Sequence, residues 1–399
     1  MKFAFISHVL PPYWGGQTIM VYRLLQGLKG EDYCLLSGQD HLGEAHQGNH
    51  SRRLPAPYYH LSPGVQITRG YRYGLWRVRE SLNVPLGLAS RIRRIAKIAR
   101  RESCHAVVAC SGDLLDLPAG YLASRLVGIP FYAYIFDYYS YQSLNPIDRF
   151  FARWFEPFVL KGAAGVIVPN EVLRDELSER YGAKSTVIRN PCDLAEYESL
   201  PAHTPSVEGE VRIVYTGAVY DAHYDAFRNL IAAINLLSRP NLKLHLYSAA
   251  TIDWEREGIH GPVVHHGHQQ MSSVPSIQRE ADILFLPLAF ESPYEPVLIN
   301  TSSTSKLGEY LAARQPILVH APKDSFVSWY FRRHECGLVV DESDPGKLAE
   351  GIEQILSDAS LRQKLSVNAW ERAQTDFSVA AAQSAFDDLL SLKRESCGG

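Results

Sequence analysis

The chain has 399 residues, 46% of them hydrophobic, and at roughly 150 residues per domain this length favours two or three domains with packed cores. A net charge of −3 argues against a dedicated nucleic-acid binder, and no apolar run approaches the ~20 residues that cross a bilayer. Six cysteines without a C-x-x-C pair, and no signal-peptide pattern at the first residues, indicate a cytoplasmic protein.

Short β-type runs alternate with helical patterns along the whole chain, which is typical of βαβ units and mostly parallel sheets. Strands are predicted in the first half at Lys2–Ser7, Tyr33–Leu36, Ala106–Cys110, Phe131–Ile135, Val166–Pro169 and Ser185–Ile188. In the second half they are predicted at Val211–Thr216, Leu242–Tyr247, Val263–His266, Ile283–Leu286, Ile317–Val319 and Gly337–Val340. The fold class is therefore α/β, with two Rossmann-like doubly wound domains facing a central cleft.

Helices are predicted between the strands. Examples are Thr18–Leu28, Ala89–Arg101, Asn170–Tyr181, Ala226–Leu237, Ser305–Ala313 and Pro345–Ser357, with Ala359–Gln374 and Val379–Lys393 at the end. A proline-containing stretch poor in apolar residues, Asp193–Glu210, is interpreted as the interdomain linker. The domains are then residues 1–204 and 205–378, and a helix in 379–399 is expected to pack back on the first domain.

The charge is unevenly distributed: residues 1–200 carry a net +5 and residues 201–399 a net −8. Between Arg52 and Arg101 there are twelve Lys and Arg residues and one acid, Glu80. Within Ala89–Arg101 the apolar side chains fall on one helix face and most arginines on the other, the form of an interfacial helix. Residues 52–101 either make peripheral contact with an anionic membrane or form a solvated surface whose isoleucines pack on the sheet.

Common ligand motifs are missing from the sequence. It contains no G-x-G-x-x-G after a first strand and no G-x-x-x-x-G-K-[ST], which disfavours NAD, FAD and a P-loop phosphotransferase. The nearest approach to a metal motif is His265-His266-Gly267-His268, where adjacent side chains at a strand end point in different directions. No metal site is predicted.

The most informative stretch is Ser302–Leu318. Hydroxyl residues precede a short amphipathic helix, so one of them is expected to cap it and leave the amides of its first turn for a phosphate. Lys306 adds a full positive charge there, and Glu309 lies one turn further on the same face, where it could bind the hydroxyls of a sugar. The alternative is a solvated surface pair of Lys306 and Glu309.

This stretch resembles the nucleotide-sugar helix of the GT-B glycosyltransferases, in particular the retaining family 4, through its pattern S-K-L-x-E-Y-L-A-x-x-x-P-I-L. Three further motifs agree, in the family's order. They are P-P-Y-W-G-G from Pro11, V-I-V-P through Y-G to V-I-R-N-P-C-D between Val166 and Asp193, and H-G-H from His266 with A-D-I-L-F-L-P from Ala281.

The resemblance implies a hexosyltransferase that uses a nucleoside diphosphate sugar, most often a UDP-sugar, and needs no metal or further cofactor. It assigns the ribose hydroxyls to Glu309, the base to His266, Gly267 and His268, and the phosphates to Gly217, Thr304, Ser305 and Lys306. Gly15 and Gly16 should let backbone approach the diphosphate, and Asp137 corresponds to the family's His-Asp position near the acceptor. Asp137 and Lys306 are the catalytic candidates.

The sequence departs from the family pattern at three places. Eight positions before Glu309, where the family often has a second glutamate, stands Thr301; Glu291 and Glu295 lie upstream and are interpreted as solvated. The turn from Gly217 to His223 lacks the usual Arg and Lys, so Lys306 should neutralise more of the diphosphate. Phe136 replaces the His of His-Asp, and the tyrosines of the following Tyr138–Tyr141 run either stack on a sugar or fill the interior.

The expected reaction moves a sugar, with retention, to a hydroxyl of a saccharide or lipid-linked saccharide in polysaccharide or glycoconjugate synthesis. The hypothesis is a front-face displacement in which a diphosphate oxygen deprotonates the acceptor, with Asp137 as the alternative base. Two rival functions remain: a sugar-nucleotide epimerase of the same architecture, and a two-lobed binding protein, which the missing signal sequence disfavours.

Overall fold

A computed structural model describes the chain except residues 14, 41–51, 63, 65, 69–74, 202–208 and 392–399. The chain divides into two compact units. The first contains Met1–Arg189 together with the described residues from Gln383 on, and the second contains Asn190–Ala382. No helix among the described residues is long and apolar enough to cross a membrane.

The first unit is built on a parallel sheet of seven strands in the order β3-β2-β1-β4-β5-β6-β7. Its strands are β1 (Phe3–Ile6), β2 (Tyr33–Ser37), β3 (Tyr58–His60), β4 (Ala106–Cys110), β5 (Phe131–Tyr134), β6 (Gly165–Val168) and β7 (Ser185–Val187). Its helices are α1 (Gly16–Leu25), α2 (Trp76–Arg101), α3 (Asp116–Val127), α4 (Pro146–Gly162) and α5 (Glu171–Tyr181). The central strand β1 is buried along its whole length, which explains its uninterrupted apolar sequence.

The second unit has a parallel sheet of six strands in the order β10-β9-β8-β11-β12-β13. Its strands are β8 (Val211–Thr216), β9 (Leu242–Tyr247), β10 (Val263–His265), β11 (Ile283–Pro287), β12 (Ile317–His320) and β13 (Leu338–Val340). Its helices are α6 (Ala195–Glu198), α7 (Tyr224–Leu237), α8 (Val274–Arg279), α9 (Pro296–Thr301), α10 (Lys306–Ala312), α11 (Phe326–His334), α12 (Pro345–Ser357) and α13 (Ala359–Asp376). The last helix, α14 (Val379–Ser391), passes from the second unit into the first.

The predicted fold class, two doubly wound α/β domains, is confirmed, and all twelve predicted strands are present with ends shifted by a few residues. The sequence did not reveal β3, which is only three residues long and half-buried, among prolines. In both sheets the strand order reverses beside the first strand, β1 or β8. This reversal opens the crevice at the carboxyl ends of the strands where α/β proteins bind ligands.

The predicted domain boundary at 204/205 lies outside the described residues. By contacts the chain divides earlier, at Arg189 and Asn190, because the residues just after that point are tied to the second unit. Cys192 N donates to Phe377 O at 2.7 Å, and Tyr197 Oη donates to Gln278 Oε1 at 2.7 Å.

The described part of the segment 379–399 reaches the first unit through α14. Gln383 Nε2 donates to the carbonyl oxygen of Gln26 at 2.6 Å. The ring of Phe386 packs edge-on against Phe3 with 5.7 Å between centroids. The residues beyond Ser391 lie outside the described part of the chain.

The basic helix begins at Trp76 rather than at Ala89, and it runs through Pro85. Ile95, Ala96 and Ala99 are buried, and α2 contacts α3. The apolar face of the predicted interfacial helix is therefore packed inside the first unit. Of the two interpretations left open by the sequence, the structure shows the packed helix over Ala89–Arg101; Arg69 and Arg72 of the basic segment are outside the described residues.

Candidate functional site

The carboxyl end of β8 is shaped by a glycine in an unusual conformation. Gly217 has φ +122°, and a Cβ there would come 2.5 Å from Cε of Lys306. Two hydrogen bonds fix the preceding residue, Thr216: its N–H donates to Tyr310 Oη at 3.0 Å, and its hydroxyl accepts from Gln278 Nε2 at 2.9 Å. Only a glycine permits this backbone with the lysine stem lying against it.

Lys306 is the first residue of α10 and carries the positive charge of this region. Its Nζ lies 5.0 Å from the centroid of the Tyr215 ring, within cation–π distance. Burial lowers the pKa of Lys306 to about 8, and the charge of Glu309 offsets part of this drop. Burial disfavours the charged form of Lys306, and a bound anion would favour it again. Such a lysine is therefore suited to bind an anion.

Buried polar atoms around Lys306 lack partners. Ser303 Oγ, Thr304 Oγ1 and His223 Nδ1 have no hydrogen-bond partner among the described residues. The expectation that a hydroxyl caps the helix is wrong, because Ser305 at the N-cap position makes no side-chain cap hydrogen bond. Buried polar groups are nearly always satisfied, so these atoms are available to a polar ligand or to water.

Glu309 lies one turn after Lys306 and is only 8% exposed. The alternative of a solvated surface pair between Lys306 and Glu309 does not fit this burial. α10 itself is short, seven residues, so the positive charge of the region comes chiefly from the Lys306 side chain rather than from the helix dipole.

His266 follows β10 and its ring is already engaged. It stacks on Tyr247 with 4.1 Å between centroids, and its Nε2 lies 3.0 Å from Nδ1 of His245. Gly267 follows with φ +63°, and His268 is exposed. In the segment predicted to line the base, Gly267 and His268 are therefore exposed, while the His266 ring packs on Tyr247 and His245.

No buried carboxylate replaces the second glutamate of the family pattern at Glu291, Glu295 or Thr301. Glu291 and Glu295 are exposed, and the Asp225 carboxylate holds their loop by accepting from Phe290 N and Glu291 N at 2.7 Å each. The Thr301 hydroxyl donates to Val297 O at 2.7 Å within its own helix. This hydroxyl is thus used by the helix backbone.

The remaining predicted residues belong to the first unit. Gly15 precedes α1, and the Thr18 hydroxyl lies 2.8 Å from Gly15 O; Gly16 is the first helical residue. Asp137 lies beyond the end of β5 and is exposed. Tyr138 and Tyr139 are buried, so these members of the aromatic run fill the interior.

Sequence reasoning missed two residues at the second-unit site. Asn190 is 5% exposed, and its Nδ2 donates to Ser303 O at 2.9 Å, which fixes the loop before α10. His223 is 2% exposed, and burial together with the charge of Lys306 holds the pKa of its ring well below the ordinary value. Both lie in stretches singled out from sequence, the N-P-C-D motif and the turn after Gly217, but only the structure shows them beside Ser303 and Lys306.

The described residues contain no group of three or more His, Cys, Asp and Glu side chains that could hold a metal ion.

Comparison with protein families gives a consistent assignment for both units. Residues 15–192 match the glycosyl transferase 4-like domain, and residues 210–358 match the glycosyl transferases group 1 domain. The chain is a GT-B glycosyltransferase with a family 4-like first domain. The resemblance seen in the motifs is thereby confirmed.

Known proteins similar to this glycosyltransferase include an alpha-D-kanosaminyltransferase from Streptomyces kanamyceticus, which is 24% identical over 372 residues; the match covers 87% of this chain and 89% of that protein. Among solved structures, the sucrose-phosphate synthase of Thermosynechococcus elongatus superposes with a TM-score of 0.72 at 16% identity, covering 99% of both chains. Anabaena HepE in complex with UDP-glucose superposes with a TM-score of 0.67 at 15% identity, covering 98% of this chain and all of that one.

Proposed function

We propose that this glycosyltransferase transfers a hexosyl group from a UDP-sugar to a hydroxyl of a saccharide or lipid-linked saccharide, with retention, in the cytoplasm. The observation that carries the proposal is the set of unpartnered polar atoms around the half-buried Lys306 at Gly217. HepE, which shares the fold, was solved with UDP-glucose, and this supports UDP as the nucleotide.

In the proposed complex each part of the donor meets residues of the second unit. The diphosphate lies against Gly217, Lys306 and the hydroxyls at Thr304 and Ser305. The ribose hydroxyls bind the Glu309 carboxylate. The base lies along Gly267 and His268, with the stacked His266 and Tyr247 rings behind. The roles of Gly15 and Gly16 of the first unit stay predictions from the family resemblance.

The chemical step breaks the bond between the anomeric carbon and the β-phosphate oxygen and forms a bond from the acceptor oxygen on the same face. Negative charge grows on the departing UDP, and Lys306 stabilises it. In the front-face form a phosphate oxygen takes the acceptor proton. Because Lys306 supplies positive charge to the leaving group, we expect turnover to persist in EDTA.

The donor assignment is tested by a thermal-shift screen of nucleotides and nucleotide-sugars. A ligand present at a hundred times its Kd stabilises the native state by about 2.7 kcal/mol, which is readily measured. We expect UDP and one UDP-sugar to stand out. Glu309→Gln should lower affinity for UDP more than for its 2′,3′-dideoxyribose analogue; equal loss for both ligands would remove Glu309 from the ribose.

The reaction class is tested by incubating the UDP-sugar with and without saccharide acceptors and following the sugar by NMR. Transfer with retention gives a product whose anomeric configuration matches that of the donor. An epimerase would instead convert the UDP-sugar to its epimer when no acceptor is present. That outcome would replace the transferase proposal.

The role of Asp137 distinguishes the two mechanisms. If Asp137 is the base, Asp137→Asn lowers turnover by about 10²–10⁴-fold while UDP binding stays intact. If a phosphate oxygen takes the proton, the variant retains most of its turnover. Asn is nearly isosteric with Asp, and calorimetry with UDP checks that the protein remains folded.

A further inference from the structure

The helix α4 presents two opposite faces of apolar side chains. Ala152, Phe155 and Val159 are buried against the first unit. Phe150, Trp154 and Phe158 are spaced four residues apart, so they form one outward stripe, and they are 69%, 68% and 48% exposed. Single exposed apolar residues are ordinary, but an aromatic stripe on a helix whose other apolar face already serves the core requires another explanation.

The neighbouring helix α2 also exposes apolar side chains, in its first half. Trp76, Val78, Leu82 and Leu86 are exposed on it. α2 contacts α4, and, together with burial, the charge of Glu80 on α2 raises the pKa of Asp148 in the first turn of α4. The two helices therefore lie side by side, and we call these exposed apolar residues of α2 and α4 the α2–α4 face.

Positive charge accompanies the α2–α4 face. In the first half of α2 the cations are Arg77, which is exposed, and Arg79, which is paired with Glu80; the other six Lys and Arg residues of α2 lie in Arg91–Arg101, outside the α2–α4 face. On α4, Arg153 and Lys161 are exposed, whereas the acid Glu156 is 2% exposed and accepts from Tyr181 Oη at 2.7 Å. The face is thus aromatic and aliphatic, with exposed cations and few available acids.

We propose that the α2–α4 face docks on an anionic lipid bilayer. Aromatic and aliphatic side chains enter the boundary between headgroups and acyl chains, and Lys and Arg bind the headgroup phosphates. A second copy of the chain fits less well, because a two-fold contact through this face would bring its cations together. The docking surface is distinct from the apolar side of Ala89–Arg101, which is packed in the core.

The docking proposal is tested by flotation of the full-length enzyme with phosphatidylcholine vesicles, with and without phosphatidylglycerol, at low and high salt. We expect flotation with the anionic vesicles at low salt and much less with the neutral ones. The variant Phe150→Ser/Trp154→Ser/Phe158→Ser should lower the vesicle partition coefficient at least tenfold. Arg153→Gln/Lys161→Gln should reduce the difference between anionic and neutral vesicles.

The matched control is Leu236→Ser/Val367→Ser, which removes two exposed apolar side chains of the second unit, 63% and 53% exposed. It should float like the unmodified enzyme. No flotation at low salt, or equal flotation of the aromatic variant, would overturn the proposal. So would a dimer in sedimentation that the aromatic variant abolishes, because the face would then join two copies. UDP binding measured on every variant keeps this test separate from that of the donor site.

Discussion

The carboxyl ends of the two central strands, β1 and β8, share one local design but treat charge differently. Near each lies a glycine with φ +122°: Gly112 follows β4, the neighbour of β1, and Gly217 follows β8 itself. A Cβ on either would meet a basic side chain at 2.5 Å, that of His8 or that of Lys306. In both units the glycine makes room for a side chain that crosses the strand ends.

In the first unit the cation near this crossing is neutralised. Arg91, whose charge acts on the His8 ring, pairs with Asp113 and with Asp116, the latter at 2.6 Å. In the second unit Lys306 is surrounded by the Tyr215 ring and unpartnered polar atoms. A cation paired with two carboxylates suits a neutral hydroxyl-bearing acceptor, whereas Lys306, which Glu309 compensates only in part, suits an anionic donor. The comparison therefore predicts opposite effects for removal of the two cations.

Arg91→Ala should give the largest change, and the change should be in stability. It leaves Asp116, which is fully buried, without its partner, and breaking a buried ion pair costs about 3–5 kcal/mol. Denaturant unfolding measures this loss, and calorimetry with UDP should show unchanged affinity in the folded fraction. A comparable loss of UDP affinity would contradict the proposal that Arg91 stabilises the first unit without taking part in UDP binding.

Lys306→Ala should do the reverse. Loss of the cation that stabilises the departing UDP lowers turnover by about 10²–10³-fold and UDP affinity by roughly tenfold or more. Stability should hold or rise, because a half-buried lysine with a lowered pKa costs desolvation energy. The control Lys364→Ala removes an exposed lysine paired with Glu335 and should change neither quantity.

The two glycines give a smaller, paired effect. Gly112→Ala and Gly217→Ala each force a side chain into the left-handed region, so each should lower the free energy of unfolding by about 1–3 kcal/mol. Only Gly217→Ala displaces Lys306, and only it should weaken UDP binding. Gly128→Ala, at φ +82° with no atom within 4 Å of the added Cβ, measures backbone strain without crowding. Equal UDP affinity in all three variants would separate Gly217 from the diphosphate.

The sequence predicted more of the site in the second unit than of the strand ends in the first unit. Lys306, Glu309 and Gly217 lie within or beside motifs that match the family pattern, so the sequence predicts their roles. In the structure Lys306 lies against Gly217, and Glu309 is buried one turn after Lys306. The pairing of Arg91 with Asp113 and Asp116 joins residues that are far apart in the chain, and no local sequence pattern predicts it. The same is true of Asn190 beneath Ser303, a contact 113 positions apart in the chain.

Exposure was also beyond the reach of pattern alone. The sequence of Ala89–Arg101 fitted either an interfacial helix or a helix packed by its isoleucines. The structure buries Ile95, and the exposed apolar residues lie on α4 and on the first half of α2. An apolar stripe looks the same in sequence whether it meets a sheet or the solvent. Only the packing of α2 and α4 on their neighbours decides between the two.

The pH dependence of donor binding is the finest test of the charge contrast. Burial puts the pKa of Lys306 at about 8, so the free enzyme loses this cation as the pH rises through that value. Bound diphosphate favours the charged form and raises the pKa, so UDP binding above pH 8 takes up protons and affinity falls by up to about tenfold per pH unit. Calorimetry in two buffers of different ionisation enthalpy measures the uptake.

Unfolding does not account for such a loss of affinity, because the sign is opposite. Between pH 8 and the ordinary lysine pKa of 10.5, the unfolded chain holds a proton on Lys306 that the native state lacks. The contribution of Lys306 to the free energy of unfolding therefore rises with pH in this window. Lys306→Arg keeps its charge throughout and should bind UDP with no proton uptake. Proton uptake that persists in this variant would assign the titration to another group.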